Sequence, residues 1–217
     1  MNREADNEIL LRRQSRKGMI RETLLEDAHT VVKRFVIPSG SRSSTSKPWL
    51  REHEALKRLD GAVAGRSLGF GKKMTKEGLE IVLRKEYVPG RPLDTLPDYM
   101  VPAFAQLLAR LHQQRVVMYD PNLENFVLDE SGEIHCIDFG RSAIYATRGP
   151  LFLYGIGSEF AKCIHETFAD DDARWSRFIE AYFDAYPHGA FARWFIMQSL
   201  DFALKARASR DARRRPA

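Results

Sequence analysis

Tyr119-Asp120-Pro121-Asn122-Leu123-Glu124-Asn125-Phe126-Val127-Leu128 runs, by way of a short turn, into Ile137-Asp138-Phe139-Gly140. Phe126-Val127-Leu128 is a short apolar strand. Glu133 to Ile137, with Ile134, Cys136 and Ile137, is a second. Asp129-Glu130-Ser131-Gly132 between them is a hairpin turn signal. A hairpin folds the chain back, so the segment ahead of its first strand lies beside the segment behind its second. Asn125 and Asp138 are therefore expected as neighbours, on the scale of the roughly 5 Å between paired strands. Asp120 falls in the loop just before. Taken singly, each residue has a plain structural reading: Asp120 and Asn125 as loop polar groups, Asp138 as a cap or turn residue. An isolated Asp-Phe-Gly is a weak signal, but all three groups bracketing one hairpin form a strong one.

Toward the N-terminus, Ile9-Leu10-Leu11 and Ile20 to Leu25 read as strands on either side of Gln14-Ser15-Arg16-Lys17-Gly18. Thr30 to Ile37 is a third strand, rich in β-branched residues, with Lys33 inside it and Glu26-Asp27 as the turn before it. Pro38 to Pro48 has no period and reads as a loop. Trp49 to Leu59 reads as a helix in which Glu52, Leu56 and Leu59 recur at i, i+4, i+7, which puts Glu52 on the apolar stripe. A carboxylate there needs a partner. Lys33 is the natural one; local pairing of Glu52 or Glu54 with Lys57 or Arg58 is the alternative. Leu79 to Leu83 is a further strand, running into the turn-rich connector Lys85-Glu86-Tyr87-Val88-Pro89-Gly90-Arg91-Pro92-Leu93.

A helix starting near Pro102, with Phe104, Leu107, Leu108 and Leu111 on one face, leads through Val116-Val117-Met118 to Asp120. Beyond Asp138, helices are expected over Tyr154 to Phe168, Asp172 to Tyr186 and His188 to Lys205. Strands at the front and helices at the back imply an α+β protein. The expected division is an N-terminal lobe over 1–88, a C-terminal lobe over 89–204 and a basic tail over 205–217.

The 217 residues can bury a sizeable core, and 44% hydrophobic with 29% charged residues is ordinary for a soluble globular chain. Cys136 and Cys163 fall in apolar segments and read as buried thiols rather than a disulfide framework or zinc site. The polar N-terminus is not a signal peptide, and no apolar run reaches membrane-spanning length, so the expected compartment is the cytoplasm. Six basic residues (Lys205, Arg207, Arg210, Arg213, Arg214, Arg215) against Asp211 place the whole net charge of +5 in the tail. Such a run is usually solvated, and after an apolar helix it can also hold a protein at an anionic membrane face. No aromatic-studded basic face accompanies it, so nucleic acid is not an expected partner.

The pattern resembles the catalytic core of the protein-kinase-like fold. Within that fold the chain is similar to small bacterial kinases of lipopolysaccharide inner-core sugars, the heptose and Kdo kinases. The match runs roughly from Ile9 to Cys163 and is closest over Leu107 to Ile137. Arg51-Glu52 to Leu59, Glu86 to Leu93 and Tyr154-Gly155-Ile156-Gly157 also fit. The resemblance implies a small N-terminal β-sheet lobe with one helix, a larger helical C-terminal lobe carrying the catalytic hairpin, and use of ATP with Mg²⁺. Lys33 would contact the α- and β-phosphates, steadied by Glu52. Gly18 would lie in the phosphate-covering loop, and Glu86 to Val88 would present backbone groups to adenine. Asp120 would orient the substrate hydroxyl, and Asn125 and Asp138 would hold the metal. The bland alternative for Lys33 is a strand lysine facing solvent. His112 is expected only to pack the fold.

The chain departs from the protein-kinase pattern in several places. Gly18 is a lone glycine where protein kinases have G-x-G-x-x-G, with Arg16 and Lys17 as possible substitutes in charge. Tyr119 stands where His-Arg usually precedes the Asp. No Ala-Pro-Glu follows Gly140, so an activation loop has little room, which favours a small-molecule or glycan acceptor over a protein. Phe152 stands where an Asp often anchors the catalytic loop, so another anchor is required. The leading expectation is a kinase of a lipid-linked core sugar at the inner face of the inner membrane. The alternatives are a protein Ser/Thr or aminoglycoside-type kinase and a non-catalytic pseudokinase.

Overall fold

The computed structural model describes residues 8–14, 18–40, 47–168 and 171–214. Arg16, Lys17, Arg215 and much of the Pro38 to Pro48 loop lie outside them. The N-terminal part is a five-stranded antiparallel sheet: β1 (Glu8–Gln14), β2 (Ile20–Asp27), β3 (Thr30–Pro38), β4 (Ser67–Thr75) and β5 (Gly78–Glu86), in the order β1-β2-β3-β5-β4. Helix α1 (Pro48–Leu59) lies between β3 and β4 in sequence and buries Trp49, Glu52, Ala55, Leu56 and Leu59. These positions recur at helical spacing, and Trp49 packs on Phe35 of the sheet with ring centroids 5.6 Å apart.

Two local features differ from the sequence expectation. The β2–β3 turn falls at Ala28-His29 rather than Glu26-Asp27, because the Asp27 carboxylate accepts the His29 N–H at 2.7 Å and closes the turn one step later. Strand β4 was not expected. Its apolar residues are interrupted by Gly69, Gly71, Lys72 and Lys73, so it has no clean alternation. It forms as an edge strand through its ladder to β5.

Past the connector, β6 (Arg91–Pro92) leads to α2 (Val101–Gln113), β7 (Val116–Val117), the hairpin β8 (Phe126–Leu128) and β9 (Ile134–Cys136), and β10 (Ala143–Ile144). Three helices follow: α3 (Pro150–Cys163), continued by a π turn over Ile164–Phe168, then α4 (Asp172–Ala185) and α5 (Ala190–Arg214). Helix α2 packs on α4, and α3 on α5. Between them Phe104, Phe126, Phe139, Phe152, Phe160, Phe178 and Tyr182 are fully buried. Each such side chain contributes about 1.5–3 kcal/mol by leaving water. The basic run is not a separate tail up to Arg214, because α5 continues through it.

Candidate active site

The cleft begins with strand parity. Thr23 pairs with Lys33, Lys33 with Leu83, and Val31 with Lys85. Residues that pair across a ladder share a face, as do alternate residues along a strand. Arg21, Thr23, Val31, Lys33 and Lys85 therefore all face the same side, toward α1 and the β8–β9 hairpin. Lys33 is 3% exposed and donates to both Glu52 oxygens, at 2.7 and 2.8 Å. Lys85 donates to the same Glu52 Oε1 at 2.7 Å and to the carbonyl of Ile137. Lys33 Nζ also lies 3.2 Å from Asp138 Oδ1, and Arg21 donates to Asp138 Oδ2 at 2.7 Å.

Three cations thus face two carboxylates in a half-closed space. The surplus positive charge favours an anionic ligand. Burial pushes the Lys33 ammonium down, to about 8; Glu52 opposes the shift and Lys85 reinforces it. Burial works against a charged Asp138, but Lys33 and Arg21 outweigh it and hold this carboxyl well below the usual carboxylate range.

The hairpin registers Phe126 on Cys136 and Leu128 on Ile134. The Ile137 N–H then donates to the Asn125 carbonyl at 2.9 Å, which sets Asn125 beside Asp138. Asn125 Nδ2 donates to the Asp120 carbonyl at 2.9 Å, leaving Asn125 Oδ1 for a cation. Asn125 Oδ1 and the Asp138 carboxylate are hard oxygen donors, the kind that suits Mg²⁺. The Asp120 carboxylate stands apart from these ion pairs. It pairs with Lys162 of α3 and, at 3.6 Å, with Arg141.

The loop before Asp120 is anchored by Glu159. Tyr119 has φ +59, and its N–H donates to Glu159 Oε2 at 3.1 Å. Glu159 is fully buried, with its other oxygen 3.4 Å from His112 Nε2; His112 Nδ1 lies 2.8 Å from the Tyr182 hydroxyl. Gly155 is required here, since a Cβ would come within 2.7 Å of the Tyr119 hydroxyl and 2.9 Å of that of Tyr145. These two hydroxyls hydrogen-bond, and burial pushes the Tyr119 phenol far up. Gly157 lets α3 and α5 meet: a Cβ there would come within 2.6 Å of the Ile196 carbonyl.

A cavity of about 530 Å³ lies between sheet and hairpin, with Leu11, Thr23 and Val31 on the sheet side and Val127 and Ile137 on the hairpin side. Lys33, Glu86, Val88, Asn125 and Asp138 all line it; Glu52 supports it from behind Lys33, while Gly18 and Asp120 do not line it. The Glu86 N–H is committed to Arg66 and that of Tyr87 to His29. The Val88 N–H has no backbone partner among the described residues, so it is open to a planar heterocycle. Gly65 permits the connector to pass, since a Cβ there would lie 2.4 Å from the Glu86 carbonyl. Gly18 sits at φ +82 beside the β1–β2 turn.

Sequence reasoning missed Arg21, Lys85, Glu159 and Lys162. Lys85 was findable, since it continues the inward alternation of Ile81 and Leu83. Glu159 sits on the buried face with Phe152 and Ile156, the same signal that marked Glu52. Arg21 and Lys162 carry no such mark.

No protein-family model matches the chain, and no curated protein matches it. Solved structures do resemble it. The high-resolution crystal structure of WbdD superposes with a TM-score of 0.51 at 16% identity, covering 89% of this chain and 50% of that one. A structure of WbdD described as a bifunctional kinase-methyltransferase gives 0.50 at 17% identity, covering 83% and 47%. Monomeric WbdD gives 0.52 at 18%, covering 85% and 44%. The chain spans about half the length of these WbdD chains. The likeness and the sheet-plus-helix architecture make this a protein-kinase-like fold.

Proposed function

We propose that the protein is an ATP-dependent phosphotransferase acting on a sugar hydroxyl of the lipopolysaccharide inner core. The observation that carries this is the convergence of Lys33, Glu52, Asn125 and Asp138 on one cleft with surplus positive charge, beside the separately anchored Asp120. The similarity to a protein described as a kinase-methyltransferase supports the phosphotransferase part. Lys33 would hold the α- and β-phosphates, with Glu52 and Lys85 fixing its reach. Val88 would take the base. Mg²⁺ between Asn125 Oδ1 and Asp138 would neutralise phosphate charge. Arg21 would release Asp138 when that cation arrives. Asp120 would orient the attacking hydroxyl and accept its proton.

The sugar acceptor rests on the Leu107 to Ile137 resemblance and on the short segment after Gly140. Part of that segment is held as β10 against β7, with Ala143 on Val117. We place the enzyme at the inner face of the inner membrane. Phe191, Trp194 and Phe202 of α5 are 69%, 56% and 61% exposed, on the helix that ends in the basic run. Among the described residues no helix is long and apolar enough to cross a membrane.

The experiment is transfer of label from γ-labelled ATP to inner-core glycolipid lacking phosphate, beside casein and an aminoglycoside. Label on the glycolipid alone is the expected result. Label on casein or the aminoglycoside alone would move the assignment to those kinase classes. Magnesium-dependent ATP binding without any transfer would make the chain a pseudokinase.

A further inference from the structure

We propose that Lys162 is a catalytic residue, a fixed ammonium that holds the attacking oxygen and the transferred phosphoryl group at Asp120. This rests on the phosphotransferase reading above.

The loop from Asp120 to Asn125 contains no cation of its own. The positive charge at Asp120 comes from elsewhere, from Lys162 in the last turn of α3 and from Arg141. The two differ in kind. The Arg141 side chain is 70% exposed and stands 3.6 Å away; that of Lys162 is 16% exposed and hydrogen-bonded to the carboxylate. Lys162 is also held from behind, with Glu166 Oε2 3.5 Å from its Nζ one helical turn on, and Arg207 of α5 3.4 Å from Glu166 Oε1. An ammonium has three N–H donors. Asp120 takes one; Glu166, at 3.5 Å, stands in ion-pair range only, so donors remain for a ligand. Pairing with two carboxylates and placement on a packed helix fix the group before substrate arrives. Preset positive charge of this kind lowers the barrier at the point where charge develops.

In the transfer step, the acceptor O–H proton passes to the Asp120 carboxylate. The acceptor oxygen bonds to the γ-phosphorus as the bond to the bridging oxygen breaks, and that electron pair leaves on ADP. Lys162 remains protonated throughout and donates to the attacking oxygen and to a phosphoryl oxygen.

The test uses water as acceptor, so the sugar need not be known. Mg·ATP hydrolysis and fluorescent-nucleotide affinity are measured for the wild type, Lys162→Met, Lys162→Arg and Arg141→Gln. Lys162→Met is expected to lower kcat on the order of 100-fold while ATP KM and melting temperature stay near wild type. Lys162→Arg should recover part of the loss, and Arg141→Gln should cost only a few-fold. Hydrolysis by Lys162→Met at the wild-type rate would overturn the proposal. So would a loss matched by weakened ATP binding and a lowered melting temperature, which would make the pair structural. A wild type that binds Mg·ATP but never hydrolyses it would instead overturn the phosphotransferase reading, and this inference with it.

Discussion

Replacing Lys85 by Met should move the alkaline limit of nucleotide binding. Lys33 and Lys85 share one Glu52 oxygen, each at 2.7 Å. Burial is the main reason the Lys33 ammonium falls to about 8 from an ordinary 10.5, and the Lys85 charge adds to it. A nucleotide needs the charged form, so the sign is fixed. Affinity is full well below about pH 8, is halved there and declines further above it. At about pH 9 roughly a tenth of the free protein keeps the charge, so the Kd for Mg·ATP should rise about tenfold there, close to 1.4 kcal/mol. In Lys85→Met the neighbouring charge is gone and Glu52 serves Lys33 alone, so the decline should begin at higher pH. The assay is displacement of a fluorescent nucleotide between about pH 7 and 10 at constant ionic strength and saturating Mg²⁺, so that screening does not vary along the series. Lys33→Met provides the baseline, with weak binding at every pH and no decline. A Kd that stays flat in the wild type, or a decline at the same pH in Lys85→Met, would refute the shared-carboxylate account.

Asp120→Ala should abolish transfer while leaving Mg·ATP affinity near wild type, and Asp138→Ala should remove the magnesium dependence of binding; titration calorimetry with and without Mg²⁺ separates the two. Gly155→Ala places a methyl 2.7 Å from the Tyr119 hydroxyl and should cost about 1–3 kcal/mol, read as a lowered melting temperature together with reduced transfer. Replacing Phe191, Trp194 and Phe202 by Ser, with Arg210 and Arg213 changed to Gln, should weaken sedimentation with anionic vesicles. The two charges alone account for about 2 kcal/mol, or roughly 30-fold at low salt. Unchanged vesicle binding would reject membrane placement through α5.

The β8–β9 hairpin was legible because its information is local. A turn signal and two apolar strands fix the register, and register alone makes Asn125 and Asp138 neighbours. Glu52 was legible because a charge on an apolar stripe demands a partner. Strand β4 was not, since an edge strand interrupted by glycine and lysine takes its structure from β5 rather than from its own pattern. Arg21 carries no local mark for a related reason: the residues around it do not alternate cleanly, and its place is set only once β2 lies beside β3. Lys162 depends on where α3 packs relative to the loop, which no short-range pattern encodes. The absent anchor at Phe152 was noticed, but its replacement, Glu159, lies two turns further along the same helix.

Arg207 has a practical consequence. It reaches Glu166, which reaches Lys162, which reaches Asp120, so a row of alternating charges joins the C-terminal helix to the proposed catalytic Asp120. Cutting the chain at residue 205 therefore removes more than a surface charge. It unlatches the far end of that row. A shortened protein with poor turnover would look as though it had lost its lipid anchor when it had lost internal alignment, and only point changes beyond Arg207 keep the two effects apart.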